Sequence, residues 1–287
     1  MQIQRITVIG ATGNLGRPVT RELIDAGYEV TVAARDPRKA ADLGAAAVVE
    51  ADLFDIPSLR NALRGADAVY LNLSTKPGER PSGPHSETHG LRRVIEVSRE
   101  MKVRQIAMLS SLVLDYQGHE GFDWWAFDVK RQAIRLLQES GICSTIFRAS
   151  SFFENFNQRS KGKIALPGKS KHPMWFIAGQ DYGKQVARAF AMHSDQHREY
   201  AVQGPEPFTY DEAARVFAAN YPKEQLKITH PPMFVLKTLG LVSRQMDYFA
   251  NIVEALNEYA EEFSAQKTWE ELGKPTTTLA EWAKTAP

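Results

Sequence analysis

Near its start the chain reads Ile6-Thr7-Val8-Ile9-Gly10-Ala11-Thr12-Gly13-Asn14-Leu15-Gly16, and the expected architecture follows from those residues. A short apolar run ends in glycine, and two further glycines follow at three-residue intervals. From Arg17 to Ala26 the pattern is helical, with Val19, Leu23 and Ala26 at helical spacing and Gly27 as the stop. A strand that turns on glycine into a helix makes a cradle for a pyrophosphate. Gly10 allows the tight turn, Gly13 lets a phosphate approach bare backbone, and Gly16 lets the helix pack closely on the sheet. Thr12, Asn14 and Leu15 complete the loop. The helix start adds unpaired N–H groups and the positive end of its dipole. The spacing is G-x-x-G-x-x-G rather than G-x-G-x-x-G.

Beyond this corner the first half alternates apolar runs with amphipathic stretches. Residues 28–34, 45–49, 68–73, 106–109 and 145–147 read as strands, and residues 91–99 and 129–139 as helices, the latter stopped by Gly141. Strands alternating with helices give βαβ units, hence a parallel sheet with right-handed crossovers. After about Phe156 the pattern changes. Residues 160–173, rich in Lys, Gly and Ser, read as an exposed loop or hairpin. Helices are expected over 181–192, 209–220 and most of 236–262, and one more strand over 199–203. Thr209 with Glu212, and Thr278 with Glu281, have capping-box spacing. The expected fold is α/β, a doubly wound parallel Rossmann sheet with a smaller, mainly helical C-terminal substrate domain. The sheet domain covers residues 1–156 and regains strand 197–204; the second domain covers 157–287.

The end of the second strand bears on the coenzyme. A ribose-binding Asp or Glu is expected about 20 residues after the glycines. Here the strand ends Ala33-Ala34-Arg35. A guanidinium there suits a 2′-phosphate, with Arg38 and Lys39 close by, which favours NADP(H) over NAD(H). Asp36, next door, could still accept a ribose hydroxyl.

Composition narrows the class. The 287 residues are 43% hydrophobic and 24% charged, too apolar for a disordered chain. The net charge of +1 points neither to nucleic acid nor to an anionic membrane. A lone cysteine, Cys143, excludes an internal disulfide and a cysteine-based zinc site. The glycine corner stands where a signal peptide would need its apolar core, so a cytoplasmic location is expected.

Together these residues resemble the NmrA-like group of atypical short-chain dehydrogenase/reductases. The likeness includes the glycine loop, Val32-Ala33-Ala34-Arg35-Asp36-Pro37, Ala51-Asp52-Leu53 and Met108-Leu109-Ser110-Ser111. It continues through Glu139-Ser140-Gly141, the stretch from Phe147 to Phe156, and the passage from Gly204 to Ala213. The resemblance implies NAD(P)(H) along the carboxyl ends of the strands. Asp52 and Leu53 would meet the adenine, and Asn72, Leu73 and Ser74 would line the nicotinamide side. Phe152 joins the cofactor set, and the substrate would occupy the cleft against the C-terminal part.

The wider superfamily places a catalytic tyrosine four residues before a lysine, on one helical face. Here Lys130 is present, but Ala126 stands in the tyrosine's place between Trp125 and Phe127. Three readings stay open. Lys130 holds the ribose and acts as acid; Tyr116 or His119 substitutes as donor; or the site binds the dinucleotide without turnover. Ser110 and Ser111 are candidates for a substrate hydrogen bond. Trp124, Trp125, Phe153 and Phe156 are candidate substrate residues, because their rings could stack on a flat aromatic or quinone-type compound. His85 and His89 stand four apart, and Glu87 between them would face elsewhere and complete no set, so no metal is expected. The expected function is an NAD(P)H-dependent oxidoreductase of a small aromatic or quinone-type substrate. The alternative is a redox-sensing regulator with a protein partner; a homodimer is compatible with either.

Overall fold

A computed structural model describes residues 2–159, 161–192 and 196–287. In chain order the elements of the first half are β1 (Arg5–Ile9), α1 (Gly16–Asp25), β2 (Glu29–Ala34), β3 (Ala47–Glu50), α2 (Ile56–Ala62), β4 (Ala68–Leu71), α3 (Leu91–Glu100), β5 (Gln105–Ser111), α4 (Trp125–Gln138) and β6 (Cys143–Ala149). There follow β7 (Lys163–Ala165), β8 (Met174–Trp175), α5 (Gly179–Ala191), β9 (Arg198–Val202), β10 (Pro207–Phe208), α6 (Tyr210–Asn220), β11 (Lys227–Thr229), α7 (Met233–Gly240), α8 (Arg244–Glu258), α9 (Gln266–Leu272) and α10 (Leu279–Thr285).

Seven strands form one sheet in the order β3-β2-β1-β4-β5-β6-β9, and every pairing in it is parallel. The order reverses at β1, so the crevice lies between the carboxyl ends of β1 and β4, where doubly wound sheets hold their ligands. Alternation along each strand explains the two buried faces. Val8, Val32 and Tyr70 point to one face, with Val19 and Leu23 of α1 and Val186 and Phe190 of α5. Ile9, Ala33 and Leu71 point to the other, with Leu59 of α2, Val94 of α3 and Leu137 of α4. Each fully buried Leu or Ile there contributes roughly 1.5–3 kcal/mol relative to exposure.

The C-terminal part has its own core around Phe156, Phe176, Phe217 and Leu279. Both capping boxes form: Thr209 Oγ1 accepts from the Glu212 N–H, and Thr278 Oγ1 from the Glu281 N–H. The loop or hairpin expected over 160–173 differs in kind. Ser160 lies outside the described residues, and β7 pairs in parallel with the distant β11 rather than with a neighbour. The helix expected over 236–262 is two, α7 and α8, joined at a turn.

Candidate active site

The glycine corner is built as a cradle. Gly10 leaves β1 with φ +88°, and a Cβ there would stand 2.3 Å from the Asn72 carbonyl oxygen, so conformation and crowding both require glycine. Gly16 answers to a neighbour other than the sheet. Its Cβ would fall 2.0 Å from the Gly10 carbonyl oxygen, because α1 closes on its own loop. A Cβ at Gly13 would lie 3.5 Å from the nearest protein atom, an ordinary contact. The first turn of α1 has no acidic residue and no side-chain cap, so its positive end stays open to a phosphate. Gly13 and Asn14 are exposed there, with Thr12 and Leu15 half-buried. This cradle fits the diphosphate of a dinucleotide.

Arg35 is exposed at the end of β2 and makes no hydrogen bond or ion pair among the described residues. Asp36 is engaged differently from the ribose role left open for it. Its carboxylate accepts from the Arg38 N–H at 3.3 Å and from Arg38 Nε at 2.9 Å, and that guanidinium holds the carboxyl below the usual range. Arg38 is thereby tied to Asp36, while Lys39 is exposed. After β3, Asp52 Oδ1 accepts from the Phe54 N–H at 2.7 Å, and Leu53 is half-buried against Gly90.

After β4 the Asn72 N–H donates to the Ile9 carbonyl at 3.0 Å and fixes the exit of that strand beside the cradle. Leu73 is buried and Ser74 exposed. Ser110 is buried at the end of β5, and Ser111 Oγ donates to the Ala149 carbonyl at 3.3 Å. Lys130, in α4, has its ammonium 2.5 Å from Glu87 Oε1. Glu87 Oε2 accepts from both the N–H and the hydroxyl of Thr75, each at 2.6 Å. Glu87 sits on a π-helical turn, Ser86–Gly90, of the kind that re-aims side chains at functional sites. Ala126 is buried and brings no phenol to this cluster.

The remaining candidates each pack against partners of their own. Tyr116 stacks on His119 with ring centroids 6.2 Å apart. Tyr116 borders a separate cavity of about 390 Å³ with Lys171, Glu254 and Glu258. Burial, then Glu120 and the α8 carboxylates, push its phenol up and make it a poorer acid. No hydrogen bond joins Tyr116 or His119 to Lys130 or Glu87 among the described residues. Phe153 and Phe156, expected in the cleft, are taken up by packing: Phe156 stacks on Phe217 at 5.1 Å and Phe153 tilts against Trp282 at 5.8 Å. Phe152 is buried edge-on to Tyr182. Trp124 is buried against Phe127 and Tyr248. Trp125 is half-buried and stacks on His85 at 5.1 Å. Both His85 ring nitrogens have partners, Glu79 and the Pro81 carbonyl.

Three residues of the cluster escaped the sequence reading in this role: Glu87, Thr75 and Tyr248, whose hydroxyl donates to the Thr75 carbonyl at 3.2 Å. The only local signal was a carboxylate between His85 and His89.

Residues 10–191 match the NAD(P)H-binding family, and the chain belongs to it. That agrees with the resemblance to the NmrA-like atypical short-chain dehydrogenase/reductases. Among curated relatives, the Photosystem II assembly factor Ycf39 of Cyanophora paradoxa is 26% identical over 263 residues, 88% of this chain and 79% of its own. The (4-alkanoyl-5-oxo-2,5-dihydrofuran-3-yl)methyl phosphate reductase of Streptomyces griseus is 32% identical over 211 residues, 71% of this chain and 69% of its own. Among solved structures, the NADPH-dependent quinone oxidoreductase QOR2 of Escherichia coli, complexed with NADPH, superposes with a TM-score of 0.71 at 23% identity, covering 98% of this chain and 99% of its own. Among the described residues no helix is long and apolar enough to cross a membrane.

Proposed function

We propose that this protein is an NAD(P)H-dependent reductase of a small aromatic or quinone-type compound, with NADP(H) preferred. The observation that carries the reading is Lys130, part-buried beside the loop that leaves β4, with Glu87 as its one partner among the described residues and with spare donors. The bound coenzyme would supply hydride from its nicotinamide. Gly13 and the start of α1 would hold the diphosphate, and Arg35 the 2′-phosphate. Lys130 would clamp the nicotinamide ribose, and Asn72 to Ser74 would flank the ring. Ser110 or Ser111 would orient the acceptor oxygen. A quinone suits a site without the tyrosine, because a quinol oxygen is a mild base that solvent can protonate. The similarity to a (4-alkanoyl-5-oxo-2,5-dihydrofuran-3-yl)methyl phosphate reductase supports a reductase, and that to an NADPH-dependent quinone oxidoreductase supports a quinone.

A redox-sensing role is the second reading. It is favoured by Ala126 in the tyrosine's place and by the likeness to an assembly factor. One experiment separates them. Purified protein is mixed with NADPH and a panel of quinones and conjugated aromatic compounds, and loss of NADPH absorbance is followed beside NADPH binding. Turnover supports the reductase. Tight binding with no turnover across the panel overturns it in favour of the sensor.

A further inference from the structure

We infer that Glu87 is the positioning residue of the coenzyme site, one carboxylate that places both the Lys130 ammonium and the loop leaving β4. The inference rests on the reading of Lys130 as a ribose clamp. The Glu87 side chain is only 4% exposed and that of Lys130 19% exposed, so the pair is not a solvated surface bridge of little consequence. Its two oxygens divide the work. Oε1 holds Lys130 on α4, and Oε2 takes both donors of Thr75 on the loop. Among the described residues Glu87 is the sole hydrogen-bond partner of the Lys130 ammonium. A lysine has three donors, so two remain for the two hydroxyls of a ribose.

The backbone supports this assignment. The π-helical turn carries Glu87 inward, and Gly90 within it leaves room for Leu53 of the loop after β3, where a Cβ would approach the Leu53 Cβ to 3.1 Å. The loop after β3, the loop leaving β4 and helix α4 thus meet at this turn. Without the carboxylate, the flexible lysine stem regains its rotamers and the loop loses two hydrogen bonds. Misplacement of a clamp by a fraction of its length is enough to lower a rate substantially.

The test is a double-mutant cycle on Glu87→Gln and Lys130→Met, read as NADPH affinity, as kcat and KM, and as thermal midpoint. Glu87→Gln is expected to weaken NADPH binding and lower kcat roughly tenfold. In the Lys130→Met background the same substitution should cost clearly less, because only the Thr75 hydrogen bonds are then lost, and Glu87→Asp should restore part of the loss. If Glu87→Gln cannot be purified, Glu87→Asp and Thr75→Val run the same cycle. Equal penalties with and without Lys130, or a change in thermal midpoint alone, overturn the inference. A wild-type protein that binds NADPH but reduces nothing counts against the reductase reading, and the affinity cycle still decides the role of Glu87.

Discussion

The Tyr248 hydroxyl donates to the Thr75 carbonyl at 3.2 Å, which ties α8 to the loop that leaves β4. Its ring lies edge-on to Trp124 at 4.8 Å. Burial first, and then Glu87 and Glu79, push its phenol up, so it stays a neutral donor. Tyr248→Phe removes the tie and keeps the ring. The variant should lose about 1 kcal/mol in urea unfolding and show a several-fold rise in substrate KM, with NADPH affinity kept. An unchanged KM would mean that the loop holds its place without α8.

The glycines of the cradle should separate fold from function. Gly10→Ala forces a side chain into φ +88° and against the Asn72 carbonyl, and should cost about 3 kcal/mol or more. Gly13→Ala meets only an ordinary contact and should stay folded, yet lose NADPH affinity at least roughly tenfold because its Cβ enters the space for the diphosphate. Circular dichroism melts and calorimetric titration check both. A Gly13→Ala protein that binds NADPH normally would remove the cradle role.

Arg35 is exposed and makes no hydrogen bond or ion pair among the described residues, so it has its charge to give. Arg35→Ala should weaken NADPH by about 10–100-fold, the size of a lost charge-assisted pair, and leave NADH almost unchanged. Fluorescence titration with the two coenzymes decides it. Equal losses would show that the guanidinium does not read a 2′-phosphate.

Stability should depend on pH through Glu154. Its Oε1 accepts from the Gly179 N–H at the start of α5, and burial pushes its carboxyl up to about 7. The folded state therefore holds a proton that the unfolded chain has released. The contribution is full below the ordinary carboxylate range and fades as pH rises through about 7. Glu154→Gln keeps the acceptor and cannot ionise. It should be more stable than the wild type by roughly 2–3 kcal/mol near pH 8, and by little near pH 5. Thermal melts across that range check the slope; parallel curves would exclude Glu154 as its source.

What the sequence disclosed followed from how local each signal is. The glycine corner was legible because backbone conformation writes itself into residue type, as at Gly10. The capping boxes at Thr209 and Thr278 were legible because each closes within one turn. Pairing of Ile164 with Ile228 was not, since two three-residue strands far apart carry no pattern. Phe153 and Phe156 were ambiguous because a ring next to a cleft strand serves a core equally well, and both pack in the C-terminal core. The reach of Tyr248 depends on how α8 returns to the sheet, which no local spacing encodes.

The late arrival of β9 has a consequence for biosynthesis. β6 is complete at Ala149, but its outer neighbour begins only at Arg198. A nascent chain halted between them carries a bare row of amides and carbonyls, a template for pairing with other polypeptides. Growing chains on one messenger are therefore most prone to cross-associate during that interval, and slow translation there should favour aggregates over product.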